Sequence, residues 1–166
     1  YLQDFGRVNA DKDSYGVPRS KSIQTTPAHQ LALAAVYYSP LQYMYWYDKP
    51  SDSQDEPELK FFDDVYTTWD DTKVLQGEVG EFITIARRKG EEWFIGSITN
   101  NEKRVLSVSL DFLPEGKNYI AEIYTDGDKS VKTRTKVRVS TYRVSNKTKL
   151  NFCLKASGGG GSSFSS

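Results

Sequence analysis

The chain has 166 residues, and its 22 basic and 22 acidic side chains cancel, which excludes the basic footprint of a protein that binds nucleic acid or anionic membrane. A single cysteine, Cys153, and a single histidine, His29, exclude a disulfide framework and any cysteine-based zinc site. No apolar run reaches the ~18–20 residues of a membrane-spanning helix, and the length suffices for one core, or one core and part of a second.

Residues 1–24 are polar, carry Gly6, Gly16 and Pro18, and read as a long loop. Such a stretch is uncommon inside a complete compact domain and is easier to accept against a partner surface outside the chain. The start at Tyr1 and the absence of a signal sequence point to a fragment or a processed product. Asp4-Phe5-Gly6 matches the kinase magnesium triplet by its letters, but no phosphate loop, lysine strand or catalytic loop accompanies it.

Thr26 is a good N-cap and Pro27 suits the first helical position, so residues 28–38 are expected to be a helix ended by Pro40. Leu31, Leu33, Ala34, Ala35, Val36, Tyr37 and Tyr38 make it apolar on nearly every face, which calls for burial on several sides. Residues 41–47 then alternate as a strand, with Tyr43, Tyr45 and Tyr47 on one face and Gln42, Met44 and Trp46 on the other. Helix, turn and strand make half of a β/α repeat. A polar stretch, 48–57, precedes a short helix at 58–65.

From Thr67 onward the pattern is all-β. Strands are expected at 74–75, 82–86, 93–98, 105–110, 119–124, 135–144 and 149–154, with turns at Gly77 and Gly80, Lys89-Gly90-Glu91, Asn100-Asn101, Pro114-Glu115-Gly116-Lys117 and Asp126-Gly127-Asp128. Strands spaced about ten residues apart with turn chemistry between them indicate an antiparallel β-sandwich. One face of the 82–98 hairpin is expected to be core, and Cys153 is expected to pack as a small apolar residue. The glycine- and serine-rich end reads as a flexible tail, with a linker or a frayed last strand as the alternatives. The division is therefore 1–58 as a partial β/α unit, 59–156 as the sandwich, and 157–166 as the tail.

Paired carboxylates are the equipment of a glycosidase, and Asp48, Asp52, Asp63-Asp64 and Asp70-Asp71 are available. All lie in polar turns or at element ends, where aspartate caps helices and closes Asx-turns. No catalytic residue is assigned. Asn146-Lys147-Thr148 has the letters of a glycosylation acceptor, and a turn between strands explains it equally well. Barrel active sites sit at the carboxyl ends of the strands, so Trp46, Asp48 and Lys49 are the candidate substrate-binding residues. Trp46 offers a flat face for a sugar ring, and Asp48 and Lys49 can hydrogen-bond hydroxyls. The structural alternative is that Trp46 fills the barrel and Asp48 caps the following turn.

Several runs carry a resemblance. They are Thr25-Thr26-Pro27-Ala28-His29-Gln30-Leu31-Ala32, Tyr38-Ser39-Pro40-Leu41-Gln42, Tyr45-Trp46-Tyr47-Asp48-Lys49-Pro50, Ala86-Arg87-Arg88-Lys89-Gly90, Gly96-Ser97-Ile98-Thr99-Asn100-Asn101 and Ile123-Tyr124-Thr125-Asp126. Together they resemble the carboxy-terminal part of glycoside hydrolase family 97. The resemblance implies a mainly β fold, a carboxy-terminal sandwich preceded by the last helix and strand of a β/α barrel. It implies the end of an exo-acting α-glucosidase or α-galactosidase, whose substrate is an α-linked oligosaccharide. The general acid, the nucleophile or base, and the calcium-binding glutamates of the family belong to upstream parts, so calcium is expected in the complete enzyme and none in this chain. The expected partners are the upstream barrel and amino-terminal domains, with no nucleic acid and no membrane, in a periplasmic or secreted bacterial setting. The alternative is a stand-alone carbohydrate-binding or structural sandwich, against which the buried helix argues, since such a module has no use for half a β/α unit.

Overall fold

The computed structural model describes residues 25–42, 46, 56–133 and 135–166. The expected loop 1–24, with its Asp4-Phe5-Gly6, most of the expected strand 41–47, and the stretch 47–55 lie outside the described residues.

Helix α1 spans Pro27–Val36. Thr26 Oγ1 accepts the His29 amide at 3.2 Å, and Pro27 opens the first turn without losing a bond. The helix stops two residues earlier than expected. One more turn would require Pro40 to donate an N–H to Val36, and proline has none. Tyr37 instead turns extended, its amide returning to the Leu33 carbonyl at 2.9 Å. A 3-10 turn at Pro57–Leu59 then runs into the short helix α2, Lys60–Asp64.

Eight strands follow: β1 Asp71–Glu78, β2 Phe82–Lys89, β3 Glu92–Thr99, β4 Arg104–Ser109, β5 Tyr119–Asp126, β6 Val137–Val144, β7 Lys149–Leu154 and β8 Gly159–Ser165. Six form one antiparallel sheet in the order β1-β2-β3-β8-β5-β6, and β4 pairs with β7 in a second. Gly90 makes the β2–β3 turn at φ 57°, a conformation glycine adopts without strain.

The large sheet is covered on both faces. Trp93, Ile95, Tyr119, Ala121 and Phe164 meet Leu106, Val108, Leu150, Phe152 and Leu154 of the small sheet in one core. On the opposite face Phe94, Tyr124 and Val137 pack with Ala28, Leu31, Ala34 and Ala35 of α1, Phe61 of α2 and Trp46. The layers are therefore helices, large sheet, small sheet. The mainly β sandwich read from the sequence is present, with a helical layer laid on its outer face.

Three expectations need correction. The β2–β3 hairpin is core on both faces: Trp93 and Ile95 enter the core shared with the small sheet while Phe94 between them enters the core under α1, and Thr84, on the face of Ala86, is buried with its hydroxyl bonded to that of Ser97 at 2.9 Å. Cys153 is exposed, because strand alternation turns Leu150, Phe152 and Leu154 inward and Lys149, Asn151 and Cys153 out. The expected flexible tail is strand β8, the central link of the large sheet between β3 and β5. Its Gly159, Gly160, Gly161, Ser162 and Phe164 are all buried.

Candidate functional site

The residues with most at stake converge where α1 lies on the large sheet. The contact is close because the floor has no side chains there. A Cβ on Gly96 would sit 2.6 Å from the Ala32 carbonyl oxygen, and one on Gly159 would sit 2.6 Å from the Cα of His29. His29 and Ala32 are three residues apart on one face of α1, so the helix backbone rests on these two glycines. Gly161, opposite Gly96 in the ladder, leaves room for the ring of Phe61, which stands edge-on to Tyr124 at 5.2 Å between centroids.

Arg87 on β2 closes the carboxyl end of the helix. It is 4% exposed. Its Nη2 donates to the Val36 carbonyl at 2.8 Å, its Nε to the Ala35 carbonyl, and its Nη1 to Thr72 Oγ1 at 2.8 Å. These are carbonyls that a helix end leaves without intrahelical partners. The negative end of the helix dipole stabilises the charge. The ring of Tyr38 lies over the guanidinium, 5.3 Å away. Beyond it, Tyr37, Tyr38 and Leu41 are each about three-fifths or more exposed, which leaves an apolar surface at the point where the chain leaves the sheet.

His29 locks the other end. Its Nδ1 lies 3.0 Å from the Gly158 carbonyl oxygen, and since that oxygen can only accept, Nδ1 carries the proton. Burial lowers the pKa of this imidazole below the ordinary histidine value, against weaker opposing effects of the Gly158 bond and of Asp126. Thr26 also donates its amide to Ser157 at 3.2 Å, so α1 starts directly against the lead-in to β8.

Of the expected substrate-binding residues, Trp46 is described. It is buried, its ring edge-on to Phe62 at 5.5 Å, in the core beneath the helices. Asp48 and Lys49 lie outside the described residues. The described aspartates hold structure. Asp70 accepts the Gly90 amide at 2.8 Å and pairs with Lys89 at 3.1 Å, Asp71 accepts the Thr72 amide at 2.8 Å, and Asp64 pairs with Lys60. The Asn146-Lys147-Thr148 turn is closed by the Thr148 amide on the Ser145 carbonyl at 3.0 Å.

Sequence reasoning missed Glu58, which is fully buried. Thr135 donates to its Oε1, while its Oε2 has no hydrogen-bond partner among the described residues. Burial raises its pKa above the usual carboxylate value, and nearby Glu56 adds to the shift. Its place before a short amphipathic helix gives no sequence signal of burial. Arg87 and the three glycines were equally silent, because each acts through a backbone that only the fold brings near.

The described residues offer no acid/base pair across an open cleft, and among them no three His, Cys, Asp or Glu side chains gather to hold a metal ion. The arrangement joins helix α1 to a sandwich.

The family described as glycosyl-hydrolase 97 C-terminal, oligomerisation, matches residues 68–165. The chain belongs to glycoside hydrolase family 97, as its carboxy-terminal part. It is 35% identical over 153 residues, 91% of its length, to a retaining alpha-galactosidase of Bacteroides thetaiotaomicron, of which it spans 23%. A family 97 enzyme from Pseudoalteromonas sp., solved in complex with acarbose, superposes with a TM-score of 0.77 at 37% identity, over 85% of this chain and 22% of that one. A beta-arabinopyranosidase structure superposes at 0.68 with 26% identity, over 89% of this chain and 22% of that one. This family 97 chain thus corresponds to less than a quarter of the length of these relatives.

Proposed function

We propose that the chain is the closing part of an exo-acting α-glycosidase, in which the sandwich braces the end of the catalytic barrel and contributes to subunit assembly. The observation that carries this reading is the match of nine-tenths of the chain to under a quarter of a retaining alpha-galactosidase. The seating of α1 on the sheet supports it, since a helix so fixed delivers residues 37–42 outward in a set direction, with Tyr37, Tyr38 and Leu41 left for a neighbouring barrel to cover. In this reading the substrate is an α-linked oligosaccharide, met by upstream residues, and Asp48 and Lys49 at the rim contact it while Trp46 backs them from the core. Calcium in the complete enzyme and a periplasmic or secreted setting follow by family resemblance.

The test compares the complete enzyme with the 166-residue chain on p-nitrophenyl α-galactoside and α-glucoside. The complete enzyme is expected to turn over one of them and the chain alone neither. In the complete enzyme Asp48→Asn is expected to raise KM. Turnover by the chain alone would sink the proposal.

A further inference from the structure

The small sheet has two strands and the large sheet six, so part of the inner face of the large sheet has no strand above it. The uncovered part is the β5–β6 end. A groove of about 1000 Å³ opens there. One wall is the inner face of β5 and β6, with Ile123, Ser140 and Tyr142. The other is β7, five of whose six residues line the groove, with Thr148 and Lys155 at its two ends. Among the described residues β7 pairs only with β4, so its second backbone edge faces this groove. Tyr142 is 54% exposed although it points toward the sandwich interior.

The charge of the groove is one-sided. Lys103 and Lys149 line it, both exposed, and among the described residues neither has a carboxylate partner. Its two carboxylates are engaged. Asp126 Oδ2 accepts the amides of Lys155 and Gly159 at 2.8 and 3.2 Å, and Asp128 pairs with Arg138 at 3.0 Å.

We infer that this groove is a docking site for an extended acidic polypeptide segment, which adds beside β7 as a third strand of the small sheet. The open edge supplies main-chain hydrogen bonds at the usual ~4.8 Å strand spacing. The incoming strand covers Ile123 and the ring of Tyr142 with one face, and the carboxylates on its other face meet Lys103 and Lys149. A second copy docked here about a two-fold axis would set these cations against their own equivalents, and like charges facing across an interface repel. The inference concerns the face opposite α1 and stands apart from any sugar chemistry.

The experiment titrates the 166-residue chain with a fluorescein-labelled (Glu-Val)4 peptide, a (Lys-Val)4 control and an oligogalacturonate. Saturable binding of the acidic peptide is expected, weakened by salt and roughly tenfold weaker in Lys103→Glu and Lys149→Glu, both surface changes. Hydrogen exchange is expected to slow in Lys149–Leu154 on peptide addition, which simple charge attraction does not produce. Four outcomes would overturn the inference: no saturable binding, equal binding of the oligogalacturonate, indifference to both reversals, or self-association through this edge without peptide.

Discussion

The Nη2 of Arg87 donates to the carbonyl oxygen of Val36 at 2.8 Å, across the boundary between the sandwich and the helix laid upon it. Nη1 reaches Thr72, so one guanidinium ties β1, β2 and the end of α1. Removing it leaves two buried carbonyls short of a donor. Hydrogen bonds to charged groups contribute about 1.5–3 kcal/mol each way they are counted. Arg87→Met, which keeps the apolar stem, is expected to lower stability by about 2–3 kcal/mol in urea unfolding. Arg87→Lys should recover only part, since an ammonium cannot span three divergent acceptors. A lysine variant as stable as the parent would refute this role.

The glycine floor makes a sharper demand. Gly96→Ala places a methyl 2.6 Å from a helix carbonyl, with Val36 and Ala35 also within 3.1 Å. The helix must lift or the strand must bend, and overpacking of this kind costs about 1–3 kcal/mol. Exchange of the α1 amides should rise with the loss. Gly90→Ala is the comparison, since nothing lies within 4 Å of its Cβ position and only its positive φ resists the change. If thermal midpoints show Gly96→Ala to be as mild as an open-surface change, the helix does not rest on this strand.

These residues also mark how far the sequence could be read. The alternation of β2 through β7 and their turns was legible, because strand period and turn chemistry are local. Helix α1 was legible from Thr26, Pro27 and its apolar run, apart from an end that depended on Arg87 and Pro40. Strand β8 was not. Its glycines have low strand propensity and no side chains to alternate, and they are present because a helix backbone rests on Gly159 and a phenylalanine ring on Gly161. The position of Trp46 was left between two readings by alternation, and the structure puts its ring against Phe62. The catalytic groups could not be read, since the resemblance assigns them to parts upstream.

His29 is the only histidine of the chain, so its titration can be followed alone by NMR. Its folded pKa lies below 6.5 because burial disfavours the imidazolium. The unfolded chain therefore binds the proton more readily between the folded value and 6.5. Stability from this group is complete above 6.5 and is lost as pH falls through that window. His29→Gln should flatten this part of the profile between pH 7.5 and 5. A midpoint at or above 6.5 in the folded protein would contradict the burial argument.

Glu58 gives the opposite sign. Its folded pKa is raised above 4.5 by burial, so the folded state holds its proton more tightly than the unfolded chain. Its contribution is fully present below 4.5 and is lost as pH rises through the folded value. Glu58→Gln keeps the acceptor for Thr135 and removes the charge. It should raise the unfolding midpoint at pH 7 relative to the parent and change it little at pH 4. A drop at pH 7 would show that the carboxylate itself is needed.

The last twelve residues provide the most direct test of the architecture. Strand β8 pairs with β3 through Trp93–Phe164 to Ile98–Gly159 and with β5 through Ile120–Ser165 to Thr125–Gly160. It is the only described link between the β1-β2-β3 and β5-β6 parts of the large sheet. It also supplies Phe164 to one core and the seat of His29 and Phe61 to the other. Deleting 155–166 strips a row of backbone hydrogen bonds from two central strands at once and opens both cores. The shortened chain is expected to lose its cooperative unfolding transition and most of its soluble yield. Deleting only Ser165 and Ser166, both exposed, should leave the transition nearly in place. Circular dichroism melts of the two deletions side by side decide the matter. If the twelve-residue deletion melts like the parent, β3 and β5 have another partner and the sheet order is wrong.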